Sequence, residues 1–155
     1  MTTKVKPIPQ GYHTATPYLI VKGCAGAIEF YKKAFGATEL MRMNKPDGGI
    51  AHAEIKIGDS PFMLADEFPE MDARSPQSLG GSPVQFYLYV EDVDRVFNQA
   101  TAAGTKVVRP LQNQFYGDRS GGVRDPFGHF WWIATHVEDV PPEELSKRAA
   151  AAGRG

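Results

Sequence analysis

The apolar pattern changes period several times along this chain. Positions 18 to 21, Tyr-Leu-Ile-Val, form a short aliphatic and aromatic run, after which Ala27, Ile28, Tyr31 and Phe35 recur every three or four residues. That interval places them on one helix face, so the spacing predicts a strand followed by an amphipathic helix. From 50 to 57 the pattern alternates, with His52, Glu54 and Lys56 on one side and Ala51, Ala53, Ile55 and Ile57 on the other. Alternation is the signature of a strand. A Gly58-Asp59 turn and a second apolar strand, 61 to 66, follow.

The same order recurs in the second half. An aromatic run at 86 to 90 leads to Val93, Val96, Phe97 and Ala100 at helical spacing, and the two helices stop at Gly36 and Gly104, as C-terminal capping favours. Each helix then enters a strand that reaches an arginine, Arg42 or Arg109. A Gly-rich approach, a short strand at about 120 to 124 and a turn built from Asp125, Pro126 and Gly128 precede the last strand, "FWWIAT". In it Phe130, Trp132 and Ala134 face one way and Trp131, Ile133 and Thr135 the other.

Each half therefore reads β-α-β-β-β, and the fold class is α+β. The first module covers residues 11–74, a linker rich in Pro, Gly and Ser covers 75–84, the second module covers 85–137, and a helical tail covers 138–155. The tail opens on Pro141-Pro142, with Glu143 and Glu144 early and Lys147 and Arg148 late, charges that suit a helix dipole.

Composition narrows the partners. Seventeen basic against 18 acidic residues give a net charge of −1, which argues against nucleic acid or an anionic membrane as partner. No apolar run approaches the ~20 residues of a membrane span, and the N-terminus lacks the apolar core of a secretory signal. The single Cys24 has no internal disulfide partner and reads as a small buried residue, consistent with a reducing, cytoplasmic location.

The candidate chemistry is modest. The polar side of strand 50–57 reads either as a solvated face or as a functional one, in which His52 with Glu54 or Asp66 forms an acid-base pair. The stretch "NQFYGDRSGGVRDPFG" reads either as a loop with a local Asp118-Arg119 contact or as a rim where Tyr116 and Arg119 meet a polar or anionic ligand; the Arg side chain suits that role because it is a planar fork of donors. Tyr18, Tyr87 and Trp132, with Phe86, Phe115 and Phe130, are candidate walls of an apolar cavity, and Met41, Met43 and Met63 add adaptable surface. His129 and His136 read as surface residues, and His13, in a loop before the first strand, is uninformative alone. There is no GxSxG elbow and no Cys-His signature.

The tandem modules, "AIEFYKKAFG" in the first helix and "DPFGHFW" before the last strand, resemble the vicinal oxygen chelate superfamily, which includes glyoxalase I, extradiol dioxygenases and the fosfomycin- and bleomycin-resistance proteins. "TPYLIV", "IAHAEIKIGD", "LADEFPE", "GGSPV" and "QFYGDRSG" look like its PhnB-like branch. The resemblance implies a curved, mostly antiparallel eight-stranded sheet enclosing a cavity, and a homodimer. It also implies metal-ligand positions on the first and last strand of each module, which fall here on Thr16, near Leu64, on Gln85 and on Trp132. These cannot hold Zn, Ni or Fe, so the usual metal is expected to be absent and no cofactor is predicted. A non-standard divalent site from His52, Glu54, Asp66 and Gln85 is the open alternative. The implied function is cavity binding of a small aromatic or amphipathic molecule by Tyr18, Gln85, Tyr87, Tyr116, Arg119 and Trp132. The rival is a lyase or isomerase using His52 with an acidic neighbour.

Overall fold

A computed structural model describes residues 4–153. The chain divides into two compact units, one ending at Gly80 and the other beginning at Gly81. The first contains β1 (Tyr18–Val21), α1 (Cys24–Phe35), β2 (Thr38–Asn44), β3 (Ile50–Ile57), β4 (Ser60–Asp66), a 3-10 turn at Pro69–Met71 and the short α2 (Pro76–Leu79). The second contains β5 (Gln85–Tyr89), α3 (Val93–Ala103), β6 (Lys106–Asn113), β7 (Asp118–Arg124), β8 (Phe130–His136) and α4 (Pro142–Ala151). Both units thus carry the β-α-β-β-β order that the repeat predicts.

The eight strands are hydrogen-bonded as two four-stranded sheets rather than one, in the orders β1-β4-β3-β2 and β5-β8-β7-β6. The first strand of each module pairs with the last in parallel, Leu19 beside Leu64 and Leu88 beside Ile133, and the other pairings are antiparallel. The crossover helix explains the arrangement, because it returns the chain to the same end of the sheet.

In the first unit α1 buries Ala27, Ile28, Tyr31 and Phe35 against Leu19, Val21, Ala53, Ile55 and Leu64 of the sheet. In the second, α3 buries Val93, Phe97 and Ala100 over Trp131, Ile133 and Val123, while Val96 is only half-buried. Trp131 is wholly buried, and its indole N–H donates to Asp125 Oδ2 at 2.8 Å. Asp125 Oδ1 also accepts from the backbone N–H groups of Phe127 and His129. One of the adjacent tryptophans is therefore core, fastened to the turn that launches its strand. Trp132 lies on the opposite face.

Several local expectations are corrected. The linker expected at 75–84 opens with α2, because Ser75 caps it and Glu67 accepts from Ser75 N and Ser78 Oγ. Strand β7 begins two residues earlier than expected, since Asp118 and Arg119 pair with His136 and Thr135. His129 is buried, 5.9 Å from the Phe86 ring, and not a surface residue.

Candidate functional site

On the face of the first sheet away from α1, strands β1 and β3 bring Tyr18, His52 and Glu54 together. His52 Nε2 and Glu54 Oε2 lie 2.7 Å apart, and His52 Nδ1 lies 2.7 Å from the Tyr18 hydroxyl. A carboxylate only accepts, so Nε2 carries the proton and Nδ1 of the neutral ring accepts from Tyr18. The hydroxyl of Tyr12, from the segment before β1, donates to Glu54 Oε1. Tyr12 was not among the residues the sequence singled out, because nothing local ties it to position 54.

Asp66 does not join this chain. It shares a face with Leu64, which is wholly buried against α1, and its Oδ1 accepts from the N–H groups of Gly23 and Cys24, at 3.0 and 2.8 Å. Its Oδ2 accepts from Ile50 N at 2.7 Å. The carboxylate thus serves as the N-terminal cap that Gly23 cannot supply, and it is favoured there by the helix dipole. Burial and this neighbouring carboxylate push the Cys24 thiol up to about 12, well away from thiolate chemistry.

A pocket of about 540 Å³ lies beside the first sheet. Tyr18, Ile20, Ala51 and Ala65 form its sheet side, and Phe68, Met71 and Ala73 its other wall, with Lys45 and Asp66 as the charged members. The 68–73 segment is closed on itself by Phe68 N to Ala73 O and Ala73 N to Phe68 O, at 2.8 and 3.1 Å. Of these residues only Tyr18 and Asp66 were legible as candidates. Lys45, Phe68 and Met71 belong to loops, where side-chain direction has no period to betray it.

On the face of the second sheet away from α3, Trp132 donates its indole N–H to Gln85 Oε1 at 3.0 Å and stacks on Tyr87, with ring centroids 6.2 Å apart. Phe130 meets Trp132 edge-on. Beyond this stack is a buried carboxylate. Asp118 Oδ2 accepts from the hydroxyls of Tyr87 and Tyr89 at 2.7 and 2.9 Å, and Oδ1 lies 2.8 Å from His136 Nδ1. Burial pushes the Asp118 carboxyl up, but the hydrogen bonds from Tyr87, His136 and Tyr89 outweigh it and hold the group below its usual value. Tyr87 is raised by burial, by Asp118 and by a hydrogen bond with Tyr116. His136 is raised by Asp118 and by Asp139, 2.7 Å from Nε2.

Tyr116 therefore joins the Tyr87 cluster, whereas Arg119 does not. Consecutive strand residues point to opposite faces, so Asp118 and Arg119 make no local pair. Arg119 turns toward α3, with Nη2 and Nε at 2.9 and 3.1 Å from the two carboxylate oxygens of Asp94.

The metal-ligand positions that the resemblance implies do not fit a metal. Leu64 is on the α1 face, and the β4 residues beside it that face away from α1 are Met63 and Ala65. Thr16 offers a hydroxyl, Gln85 an amide oxygen already taken by Trp132, and Trp132 no lone pair. Zinc, nickel and iron need three or four imidazole, thiolate or carboxylate donors. Among the described residues no group of three or more His, Cys, Asp or Glu is placed to hold an ion, and no helix is long and apolar enough to cross a membrane.

Comparison with known proteins agrees with this architecture. The family model described as Glyoxalase/Bleomycin resistance protein/Dioxygenase superfamily matches residues 12–133. An uncharacterised protein of Mycobacterium tuberculosis is 43% identical over 143 residues, which is 90% of this chain and 84% of that protein. Among solved structures, TioX from Micromonospora sp. ML1 is similar with a TM-score of 0.62 and 28% identity, over 83% of this chain and all of that one (100%). The PhnB protein from Bacillus cereus shares the fold at a TM-score of 0.62 and 19% identity, over 79% of this chain and 99% of that one.

Proposed function

The chain belongs to the glyoxalase/bleomycin resistance protein/dioxygenase superfamily, and from that premise we propose that it is a metal-independent binding protein that holds a small aromatic or amphipathic molecule without altering it. The observation that carries this reading is the 540 Å³ pocket, apolar over most of its wall with a few fixed polar groups. Its size lies in the roughly 300–1,000 Å³ range of small-molecule sites. The stacked Trp132 and Tyr87, with Gln85 fixed beside them, supply a second flat surface suited to an aromatic compound. Sequestration needs no nucleophile, and the buried Cys24 is not one. The protein is read as a cytoplasmic homodimer.

The test is a titration with N-phenyl-1-naphthylamine, a neutral apolar fluorophore. Saturable binding with recovery of the unchanged probe is expected for the wild type. In Ala51→Phe the new ring fills the pocket from an exposed strand position, and affinity should fall by at least about tenfold, ~1.4 kcal/mol. Absence of saturable binding, or equal binding in the two proteins, overturns the reading.

The Tyr18-His52-Glu54 chain favours a second reading, a lyase or isomerase in which His52 moves a proton. Extraction of the purified protein, with any small molecule so recovered returned to it in D₂O, distinguishes the two. Deuterium entering the molecule's carbon skeleton with the wild type but not with His52→Gln supports the enzyme. An unlabelled molecule in both eliminates it.

A further inference from the structure

The pocket contains one cation whose partners are incomplete. Lys45 is half-buried, its Nζ 5.7 Å from the centre of the Phe68 ring and 3.5 Å from the carbonyl oxygen of Glu67, at the limit of a hydrogen bond. None of the ion pairs among the described residues includes it. An ammonium has three donors, so at least two of those on Lys45 are unspent on protein groups. Its backbone is fixed, because Lys45 N donates to Gly49 O at 2.7 Å and Lys45 O accepts from Gly48 N at 3.1 Å, closing the β2–β3 turn.

The acidic neighbours are already used. Asp66, the other charged residue of the pocket, accepts from three backbone N–H groups, two of them at the α1 N-terminus. Asp47 accepts from Gly49 N. The Glu67 carboxylate is held by Ser75 and Ser78, which keep it down at about 2. These hydrogen bonds leave the carboxylates charged but occupied, so what the pocket offers an incoming ligand is the spare N–H donors of Lys45 next to apolar walls, with Phe68 and Met71 exposed on the 68–73 segment.

We propose that this pocket selects an amphipathic anion, its flat apolar body lying between the 68–73 segment and the sheet and its anionic oxygens accepting from Lys45 Nζ. Charge-assisted hydrogen bonds of this kind are the stronger class, and the ring of Phe68 steadies the ammonium by cation-π attraction. The inference rests on the reading that the pocket holds a small molecule, and it adds the charge of that molecule.

A matched pair of probes separates the two claims. 1-Anilinonaphthalene-8-sulfonate carries the ring system of N-phenyl-1-naphthylamine plus a sulfonate. The wild type should bind the sulfonate about tenfold more tightly than the neutral probe, ~1.4 kcal/mol. Within Lys45→Met the sulfonate should lose its advantage over the neutral probe, within Lys45→Arg it should keep it, and added salt should weaken only the sulfonate. Near-UV circular dichroism reports whether each variant is folded. A sulfonate bound no more tightly than the neutral probe, or an advantage that survives in Lys45→Met, overturns the anion inference while the small-molecule reading stands. Failure of both probes to saturate the wild type overturns both.

Discussion

Gly121 shows how much a single missing methyl group decides. A Cβ built there would lie 2.4 Å from Phe97 Cε2 and 3.1 Å from the Leu111 Cα, so α3 reaches β7 only because this position is bare. Gly122 does the same on the other face, where a Cβ would lie 2.5 Å from Phe130 Cζ. Overpacking of this kind costs about 1–3 kcal/mol, and Gly121→Ala should lower the free energy of urea unfolding by that amount. Gly26, within α1, has nothing within 4 Å of its notional Cβ. Gly26→Ala should raise stability by about 0.5–1 kcal/mol, the ordinary helix cost of glycine. If both variants shift stability in the same direction, the close approach of α3 is not what fixes Gly121. In the sequence these glycines look like a flexible rim, because a glycine does not announce whether it is needed for freedom or for proximity. The same blindness made Asp118 and Arg119 look like a local pair, when strand geometry sends one to a tyrosine cluster and the other to a helix.

Elements were more legible than the contacts between them. The bounds of β1 and β3 and the stop of both helices follow from period and breakers, and these features depend on the chain's own backbone geometry. The parity of β3 kept His52 and Glu54 on one face, but it failed at Ala51, which the register irregularity opposite Met43 and Asn44 turns outward to line the pocket while Ile50 is buried. Across strands the signal weakens. Placing the implied metal position near Leu64 put it on the α1 face, since a shift of one residue reverses every side chain. Asp66 went with it into a catalytic group that it does not join, because a carboxylate spent on a helix N-terminus looks no different in sequence from one free to act. The two modules solve that capping problem differently. The first borrows Asp66 from a distant strand, whereas the second uses Asp92 locally and Thr135 Oγ1, which accepts from Val93 N at 2.9 Å. A repeat visible in pattern can thus hide unlike contacts.

At the scale of the whole molecule the family is settled, and the sharpest remaining question is whether this member needs a metal. The donors at the implied positions, a hydroxyl, an engaged amide and an indole, argue that it does not. A protein that binds a metal only when folded is stabilised by it, by about 2.7 kcal/mol at a hundredfold excess over the dissociation constant. For a chain of this length that corresponds to a rise of roughly 5–10 °C in melting temperature. Protein purified without chelator should therefore contain far less than one metal ion per chain. Its melting temperature and its affinity for the neutral probe should not change with EDTA or with added zinc, nickel, manganese or ferrous iron. Near-stoichiometric metal, or a melting temperature that rises on addition, would mean that the donors come from elsewhere. His52 with Glu54, and Asp118 with His136, are the histidine-carboxylate pairs to substitute first, and loss of the metal in one pair but not the other would locate the site. An unchanged melting temperature leaves Trp132 and Tyr87 as binding surface and directs attention to the anion that Lys45 is placed to receive.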